Sequence, residues 1–308
     1  MRLPRMLIAR SAAVAIAAAF FVSSAVASVP PAAAAAAAPV RPAAAAAGPA
    51  GVQARGADLV NAVTRRQLWS RGLDIRRPMA SITKVMTALV VIRAGGLNRT
   101  VRVPGFVVSY VNQHGGSSAG LRPGDVLTVR QLLEGLLLPS GCDAALLLAS
   151  VYGHGWRAFV RKMNATAVAL GLRHTHFANF DGLPWPSEFT TYSTPRDLIT
   201  LGLAAMRLPA FRAIVRQRSF NVAPTAQHHA YRWQNTNQLL GSYPGAFGIK
   251  TGHTHGAGYC LLFEAQRNGR TLIGIVLDSS GTNSVAAFAD AARMLNWAFG
   301  IRAAWLAT

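Results

Sequence analysis

Residues 77–88 read Arg77-Pro78-Met79-Ala80-Ser81-Ile82-Thr83-Lys84-Val85-Met86-Thr87-Ala88. They open a mostly apolar segment that continues to residue 94 and is ended by Gly95-Gly96. The pattern predicts a helix over residues 81–94. Because residues three apart share one face of a helix, Lys84 is expected beside Ser81, at the positive end of the helix dipole. A hydroxyl next to an amine is typical of an activated nucleophile.

Lysine is rare in this chain, so the positions that keep it are informative. Lys84, Lys162 and Lys250 are the only lysines among 31 basic residues. Arginine stays protonated in proteins, whereas a buried lysine can lose its proton, so a site that needs a base selects lysine. Random order would give roughly 0.2 Ser-x-x-Lys matches but only on the order of 0.02 Lys-Thr-Gly matches. Lys250-Thr251-Gly252 is such a match, in a segment with strand character.

A third candidate element is the corner Pro139-Ser140-Gly141. It separates two apolar helical segments, residues 132–138 and 144–151. A tight corner between helices would present the Ser140 hydroxyl, with Cys142 two residues later. We therefore expect a second active-site hydroxyl at this corner.

The remaining pattern predicts the fold class. Strand character is found in residues 57–62, 67–70, 248–251, 257–266 and 271–278, and further helical character in residues 156–170, 194–206 and 288–299. The prediction is an α+β fold in which an antiparallel sheet from both chain ends is flanked by helices and carries an inserted, mainly helical subdomain. The cleft between these parts is the expected active site.

The order and spacing of these motifs resemble the penicillin-recognising serine enzymes. The likeness is greatest to the low-molecular-mass D-alanyl-D-alanine carboxypeptidases, a family of penicillin-binding proteins with a β-lactamase/transpeptidase-like fold. The residues that carry it are 77–88, Leu138-Pro139-Ser140-Gly141-Cys142-Asp143-Ala144-Ala145, Asn164, Leu170-Gly171-Leu172, Thr175-His176-Phe177, Gly182-Leu183, Asn235-Thr236-Asn237 and Gly248-Ile249-Lys250-Thr251-Gly252-His253-Thr254.

The resemblance implies a serine acyl-transfer reaction without a cofactor or metal. Ser81 would attack the carbonyl of a D-Ala-D-Ala terminus in a peptidoglycan stem peptide, and Lys84 would take its proton. Ser140 would relay a proton to the departing amine, and water would release the acyl-enzyme. The backbone N–H groups of Ser81 and His253 would form the oxyanion hole. β-Lactams would act as covalent inhibitors.

The resemblance also implies a substrate-binding edge made of Lys250, Thr251, Gly252 and His253. Lys250 would supply positive potential and hold Ser140, while Thr251 would bind the terminal carboxylate of the substrate.

Two positions depart from the family pattern. Cys142 stands where the family usually has Asn, and a thiol forms only weak hydrogen bonds. Relatives often carry an arginine near the last strand–helix junction, but residues 278–290 contain none. We expect Cys142 to occupy the same substrate-facing position, and we interpret it as a change that alters substrate preference and does not remove activity.

Several alternatives remain open at this point. A DD-transpeptidase or DD-endopeptidase would use the same site. A β-lactamase is disfavoured because none of the three glutamates, Glu134, Glu188 and Glu264, is clearly placed to assist rapid deacylation. A catalytically silent peptidoglycan-binding protein is suggested by Cys142, but both motif lysines argue against it.

The N-terminal sequence predicts export. Arg2, Arg5 and Arg10 precede an apolar run over residues 12–22, and Ala25-Val26-Ala27 forms a small-x-small cleavage site. We predict a signal peptide over residues 1–27, an Ala/Pro-rich linker over 28–55, the catalytic domain over 56–304 and a tail over 305–308. The protein would act outside the cytoplasm, and an uncleaved signal segment that anchors it to the membrane is the alternative.

Charge and side-chain chemistry limit the partners. The net charge is +20, which favours association with anionic envelope polymers or a membrane surface. Nucleic acid is disfavoured because the arginines are scattered and no nucleic-acid motif is present.

His174 and His176 lack further ligands at metal-binding spacing. Cys142 and Cys260 are expected to be free thiols.

Overall fold

The structure is a computed structural model that describes residues 48–301, all of which belong to one compact unit. The strands in this part of the chain are β1 Gly56–Asn61, β2 Gln67–Arg71, β3 Arg77–Pro78, β4 Thr100–Arg102, β5 Val126–Thr128, β6 Tyr192–Ser193, β7 Ser219–Val222, β8 Tyr231–Gln234, β9 Ala246–Thr254, β10 Gly258–Arg267 and β11 Arg270–Leu277. The helices are α1 Lys84–Ala94, α2 Phe106–His114, α3 Val129–Leu137, α4 Cys142–Gly153, α5 Trp156–Ala169, α6 Pro195–Met206, α7 Pro209–Val215 and α8 Ala286–Phe299. A short 3-10 turn, Ala80–Thr83, precedes α1.

The central sheet is built from both ends of the described chain. Its strand order is β2-β1-β11-β10-β9, and every neighbouring pair is antiparallel. Since side chains alternate between the faces of a strand, β10 places Leu262 on one face and Leu261 and Phe263 on the other. These residues belong to two separate buried clusters. The sheet therefore has apolar side chains packed on both faces, and the predicted α+β fold class is confirmed.

Helices cover the two faces. On one side α6 packs against β1 and β11, and on the other α8 packs against β10 and β11. Helix α1 lies in the middle of the helical part, where it contacts α3, α4, α5, α6 and α7. All of its residues from Lys84 to Val91 are buried. A helix surrounded in this way must be apolar on all sides, which explains the sequence of this segment.

The element boundaries differ from the predicted ones where caps and turns intervene. The helix predicted over residues 81–94 starts as a 3-10 turn and becomes α-helical at Lys84. The helix predicted from residue 132 begins at Val129, because Thr128 and Gln131 form a reciprocal capping box. Helices α2 and α7 and the hairpin β7–β8 were not predicted.

Packing begins before the predicted domain start at residue 56. Val52 and Ala54 are buried, and the backbone N–H groups of Gln53 and Ala54 donate to the Asp290 carboxylate at 2.9 and 2.7 Å. The predicted signal peptide, most of the predicted linker and the predicted C-terminal tail lie outside the described residues. Within residues 48–301 no single helix is long and apolar enough to span a membrane, although α6 and α7, bent by 105°, meet the length and composition criteria as a pair.

Candidate active site

The backbone of the 3-10 turn presents Ser81 at the mouth of a cleft. Ala80, just before it, has φ 46°, a left-handed conformation that costs a non-glycine residue about 1–3 kcal/mol. Two glycines allow other segments to approach this turn. A Cβ atom on Gly252 would lie 2.9 Å from the Met79 carbonyl oxygen, and one on Gly182 would overlap the Ala80 carbonyl. Glycine at both positions therefore lets β9 and the loop around residue 182 close on the serine turn.

Lys84 lies directly below Ser81 and is fully buried. Its Nζ donates to Ser81 Oγ at 2.9 Å, to the Asp181 carbonyl at 3.0 Å and to Cys142 Sγ at 3.4 Å. These three partners match the three N–H bonds of an ammonium group. If the amine is neutral, Asp181 and Cys142 can take its two N–H bonds, and the lone pair then faces the Ser81 hydroxyl. The geometry thus suits a base acting on Ser81.

The corner before α4 contributes a second hydroxyl. Ser140 has φ 67°, and its buried Oγ has no hydrogen-bond partner among the described residues. Cys142, two residues later, is 1% exposed. Burial raises the pKa of the Cys142 thiol to about 12, although the nearby Lys84 charge opposes the shift. Cys142 is therefore a neutral thiol near pH 7 and not a competing nucleophile.

The opposite wall of the cleft is formed by β9. Thr251 Oγ1 and Thr236 Oγ1 share a hydrogen bond of 2.6 Å. Lys250 is buried, and its Nζ donates to the Thr251 carbonyl at 3.0 Å. Burial, and then the charge of Lys84, lower the pKa of Lys250 well below the usual range. Two amines buried in one site repel each other when both are protonated, which favours a state with one of them neutral.

One expected contact is absent. Lys250 was expected to hold Ser140, but its amine bonds to the backbone of β9, and Ser140 Oγ is unpartnered within residues 48–301. The Thr251 carbonyl gives the buried Lys250 amine one hydrogen-bond partner.

The cleft has a volume of about 380 Å³ and brings most of the predicted site residues together. Its walls include Ser81, Ser140, Cys142, Thr251, Gly252 and His253. Lys84 and Lys250 lie buried beneath this surface. The His253 ring stacks on Tyr259 with centroids 4.0 Å apart, so the imidazole has a packing partner. None of the three glutamates lines the cleft.

Sequence reasoning missed residues that act through the backbone or support the walls. The Asp181 carbonyl binds Lys84, and the Asp181 side chain accepts a hydrogen bond from Tyr110 at 2.7 Å. The carboxylate of Asp143 accepts from the backbone of Ala119 and Leu121 at 2.8 and 3.1 Å, which fixes the loop beside Ser140. The dipeptide Asp181-Gly182 was a detectable turn signal, but it does not reveal where a carbonyl points.

Comparison with known proteins identifies the family. The family model described as D-alanyl-D-alanine carboxypeptidase matches residues 43–281. The chain belongs to the D-alanyl-D-alanine carboxypeptidase family. It is 41% identical over 262 residues to a D-alanyl-D-alanine carboxypeptidase of Streptomyces sp. strain K15, covering 81% of this chain and 88% of that one. It is 36% identical over 244 residues to DacB2 of Mycobacterium tuberculosis, covering 76% and 78% of the two chains.

Solved structures of the family agree with this assignment. The crystal structure of the Streptomyces K15 DD-transpeptidase superposes with a TM-score of 0.76 at 41% identity, covering 81% of this chain and 98% of that one. A Mycobacterium tuberculosis D-alanyl-D-alanine carboxypeptidase gives a TM-score of 0.73 at 32% identity, covering 84% and 97%.

Family membership sets the general chemistry and place of action. The D-alanyl-D-alanine carboxypeptidases are serine-type peptidases that act on peptidoglycan, so this enzyme functions outside the cytoplasm. Solved variants of the Streptomyces enzyme include changes at a serine and at a cysteine two residues later. Ser140 and Cys142 have the same spacing as that serine and cysteine.

Proposed function

We propose that Ser81 is the nucleophile and Lys84 its base in a D-Ala-D-Ala carboxypeptidase reaction. The observation that carries this proposal is the 2.9 Å hydrogen bond between Lys84 Nζ and Ser81 Oγ, with the amine completely buried. The other two Lys84 partners orient the amine toward this hydroxyl. Ser140, Cys142, Thr251, Gly252 and His253 lie on the walls of the same cleft, and Lys250 is buried beneath it.

In the first step Ser81 Oγ attacks the carbonyl carbon of the penultimate D-Ala, and its proton passes to Lys84. The backbone N–H groups of Ser81 and His253 stabilise the oxyanion. The peptide C–N bond then breaks, the terminal D-Ala leaves, and Ser140 relays the proton to its amine. Water hydrolyses the remaining ester and restores Ser81.

The strand β9 edge fixes the end of the substrate. Thr251 Oγ1 binds the terminal carboxylate. Gly252 allows the backbone of β9 to lie close to the turn that carries Ser81. Lys250, when it is protonated, contributes positive potential beneath the strand. No arginine is present in residues 278–290, so Thr251 and its partner Thr236 take a larger share of carboxylate binding. β-Lactams would acylate Ser81, because the same groups recognise them.

Transfer to an amine acceptor is the second candidate activity. The Streptomyces K15 structures at 41% identity are of a DD-transpeptidase, and Cys142 shares the Ser-x-Cys spacing with that enzyme. An amine would then replace water in the second step.

Product analysis with a defined pentapeptide, with and without an amine acceptor, tests the proposal. Conversion of the pentapeptide to the tetrapeptide supports the carboxypeptidase, and a cross-linked dimer supports the transpeptidase; both reactions release D-Ala. Ser81→Ala should abolish both products while leaving the fold intact. Product formation by Ser81→Ala at the wild-type rate would overturn the assignment of the nucleophile.

We also propose that residues 1–27 are a cleaved signal peptide and that the Ala/Pro-rich residues between it and the packed residues Val52 and Ala54 tether the catalytic domain. The polar start, apolar run and small-x-small site support cleavage after Ala27. N-terminal sequencing of the exported protein tests this: a mature chain beginning at Ser28 supports it, and an intact Met1 indicates a retained membrane anchor.

A further inference from the structure

A second cavity lies apart from the catalytic cleft, at the side of the sheet covered by α6 and α7. Its volume is about 450 Å³, and it shares no lining residue with the cleft. Four arginines line it. Arg65 comes from the turn after β1, Arg207 follows α6, Arg212 is in α7 and Arg216 follows α7. Residues far apart in the sequence therefore bring four guanidinium groups to one place.

These four guanidinium groups form no ion pair within residues 48–301, and the acidic side chain that shares their cavity is Glu264. None of them forms an ion pair or a side-chain hydrogen bond there, and Arg216 lies over the Phe247 ring at 6.0 Å. By contrast, Arg196 forms a bidentate pair with Asp74 at 2.7 and 3.0 Å. Like charges that converge on one cavity repel each other, and a bound anion would remove this repulsion.

Glu264 supplies an independent sign that the cavity takes a ligand. It lines the cavity from β10 and is 6% exposed, yet its Oε2 has no hydrogen-bond partner among the described residues. A buried polar atom usually has a partner. Burial raises the pKa of Glu264 to about 7, against the opposing effect of Arg212. Near neutral pH a substantial fraction of this side chain is therefore a carboxylic acid that can donate a hydrogen bond.

We propose that this cavity binds a phosphate ester. A phosphate group offers several oxygens and up to two negative charges, and the planar fork of arginine binds it through paired hydrogen bonds. A single carboxylate would offset less of the charge of four arginines. Leu203, Met206 and Phe247 provide an apolar wall for the carbon substituent of the ester. Protonated Glu264 donates to a phosphate oxygen.

The same chemistry can come from a lipid headgroup or from a soluble or polymeric phosphate of the envelope. The inference does not depend on the assigned peptidase reaction, because the two cavities are separate. The charged groups that face Glu264 from the cavity walls are the four arginines, and no other titratable side chain lines the cavity in the described part of the chain.

The test measures binding of glycerol 3-phosphate by calorimetry in 0.1 M salt, where distant surface charges are largely screened. The paired substitution Arg212→Ala with Arg216→Ala should weaken binding at least tenfold, since two charge-assisted contacts are lost. The matched control pair is Arg161→Ala with Arg173→Ala, which removes the same charge from two exposed positions outside the cavity. It should change binding by less than twofold.

Glu264→Gln tests the carboxyl group directly. At pH 8, where the wild-type carboxyl is mostly ionised, the neutral amide should bind glycerol 3-phosphate at least threefold more tightly. Weaker binding by this variant would contradict the role of Glu264 as a donor. Melting temperature and penicillin labelling monitor the fold and the separate catalytic site. If the alanine pair does not fold, Arg212→Lys with Arg216→Lys keeps the charge, loses the planar fork, and should still weaken binding.

Vesicles distinguish the sources of phosphate. Binding to phosphatidylglycerol vesicles that needs Arg212 and Arg216, without binding of soluble glycerol 3-phosphate, identifies a lipid headgroup. Binding of soluble glycerol 3-phosphate without vesicle binding identifies a soluble or polymeric phosphate, and binding of both shows that the phosphate alone suffices. Binding of neither probe by the wild type would overturn the proposal, as would equal losses in the cavity pair and the control pair.

Discussion

Replacing Lys84 by arginine should slow acylation of Ser81 by about 10²–10⁴-fold, the contribution typical of a general base. The change keeps a positive charge at the site and removes the group that can accept a proton, because the guanidinium stays protonated. The substitution therefore distinguishes a role of Lys84 as a base from a purely electrostatic role. The position is suitable because Nζ lies 2.9 Å from Ser81 Oγ, and no other side chain in residues 48–301 forms a hydrogen bond with that hydroxyl.

The expected loss corresponds to about 2.7–5.4 kcal/mol of activation free energy, at 1.36 kcal/mol per factor of ten. A second effect acts on stability. Lys84 is 0% exposed, so the larger arginine must displace its neighbours, at about 1–3 kcal/mol. The rate and the stability must therefore be measured separately.

The assay is the second-order rate constant for covalent labelling by a fluorescent penicillin, followed over time at several concentrations. Thermal unfolding of the same preparation shows whether the variant is folded. Lys162→Arg is the matched control, because Lys162 is exposed and its amine donates to the Tyr152 carbonyl at 2.6 Å, outside the cleft. Its labelling rate should equal that of the wild type.

Labelling of folded Lys84→Arg within threefold of the wild-type rate would refute the assignment of Lys84 as the base. If the arginine variant does not fold, Lys84→Met keeps a similar length without a charge. It should show the same loss, and normal labelling by Lys84→Met would refute the assignment equally.

Three further predictions concern recognition and stability. Thr251→Val should depress turnover of a free-acid peptide at least tenfold more than turnover of its amide; equal losses would place carboxylate recognition elsewhere. Cys142→Asn should change peptide turnover by more than about threefold at unchanged melting temperature, and unchanged kinetics on both peptide and penicillin would show that this side chain does not reach the substrate. Glu134 is 3% exposed and accepts two hydrogen bonds from Gln217 at 3.1 and 3.2 Å, and burial raises its pKa to about 7. Because the pKa of Glu134 in the folded protein lies above the ordinary 4.5, ionisation of this carboxyl group lowers the free energy of unfolding as pH rises from 4.5 through 7. Glu134→Gln should therefore stabilise the protein by about 1–3 kcal/mol at pH 8 and not at pH 4.5, as measured by urea unfolding. An equal effect at both pH values would contradict the prediction.

The sheet could be predicted from the sequence because its strands carry a strong local signal. β10 and β11 are apolar runs joined by Asn268-Gly269, a turn signal, and Gly258 marks the start of β10. Helix α2 gave no such signal, since only Val107 and Val111 of its nine residues are buried and no side chain caps its start. The hairpin β7–β8 was missed because eight loop residues, 223–230, separate two short strands.

The site was predictable where sequence spacing alone brings side chains together. Ser81 and Lys84 are three residues apart, and both helical and 3-10 geometry place them on one side. The Asp181 carbonyl that orients Lys84 could not be predicted, because every residue type has a carbonyl and its direction depends on the chain path. The cluster of cavity arginines could not be predicted either, since only the fold brings residue 65 close to residues 207–216.

The most direct test of the acyl-transfer assignment is to locate the covalent adduct. The full-length protein is treated with benzylpenicillin, digested, and mapped by tandem mass spectrometry, with Ser81→Ala and Ser140→Ala in parallel. We expect one penicilloyl group on Ser81 in the wild type, none in Ser81→Ala, and slower labelling of Ser81 in Ser140→Ala. An adduct on Ser140, Cys142 or another residue of the folded wild type, or no adduct at all, would contradict it.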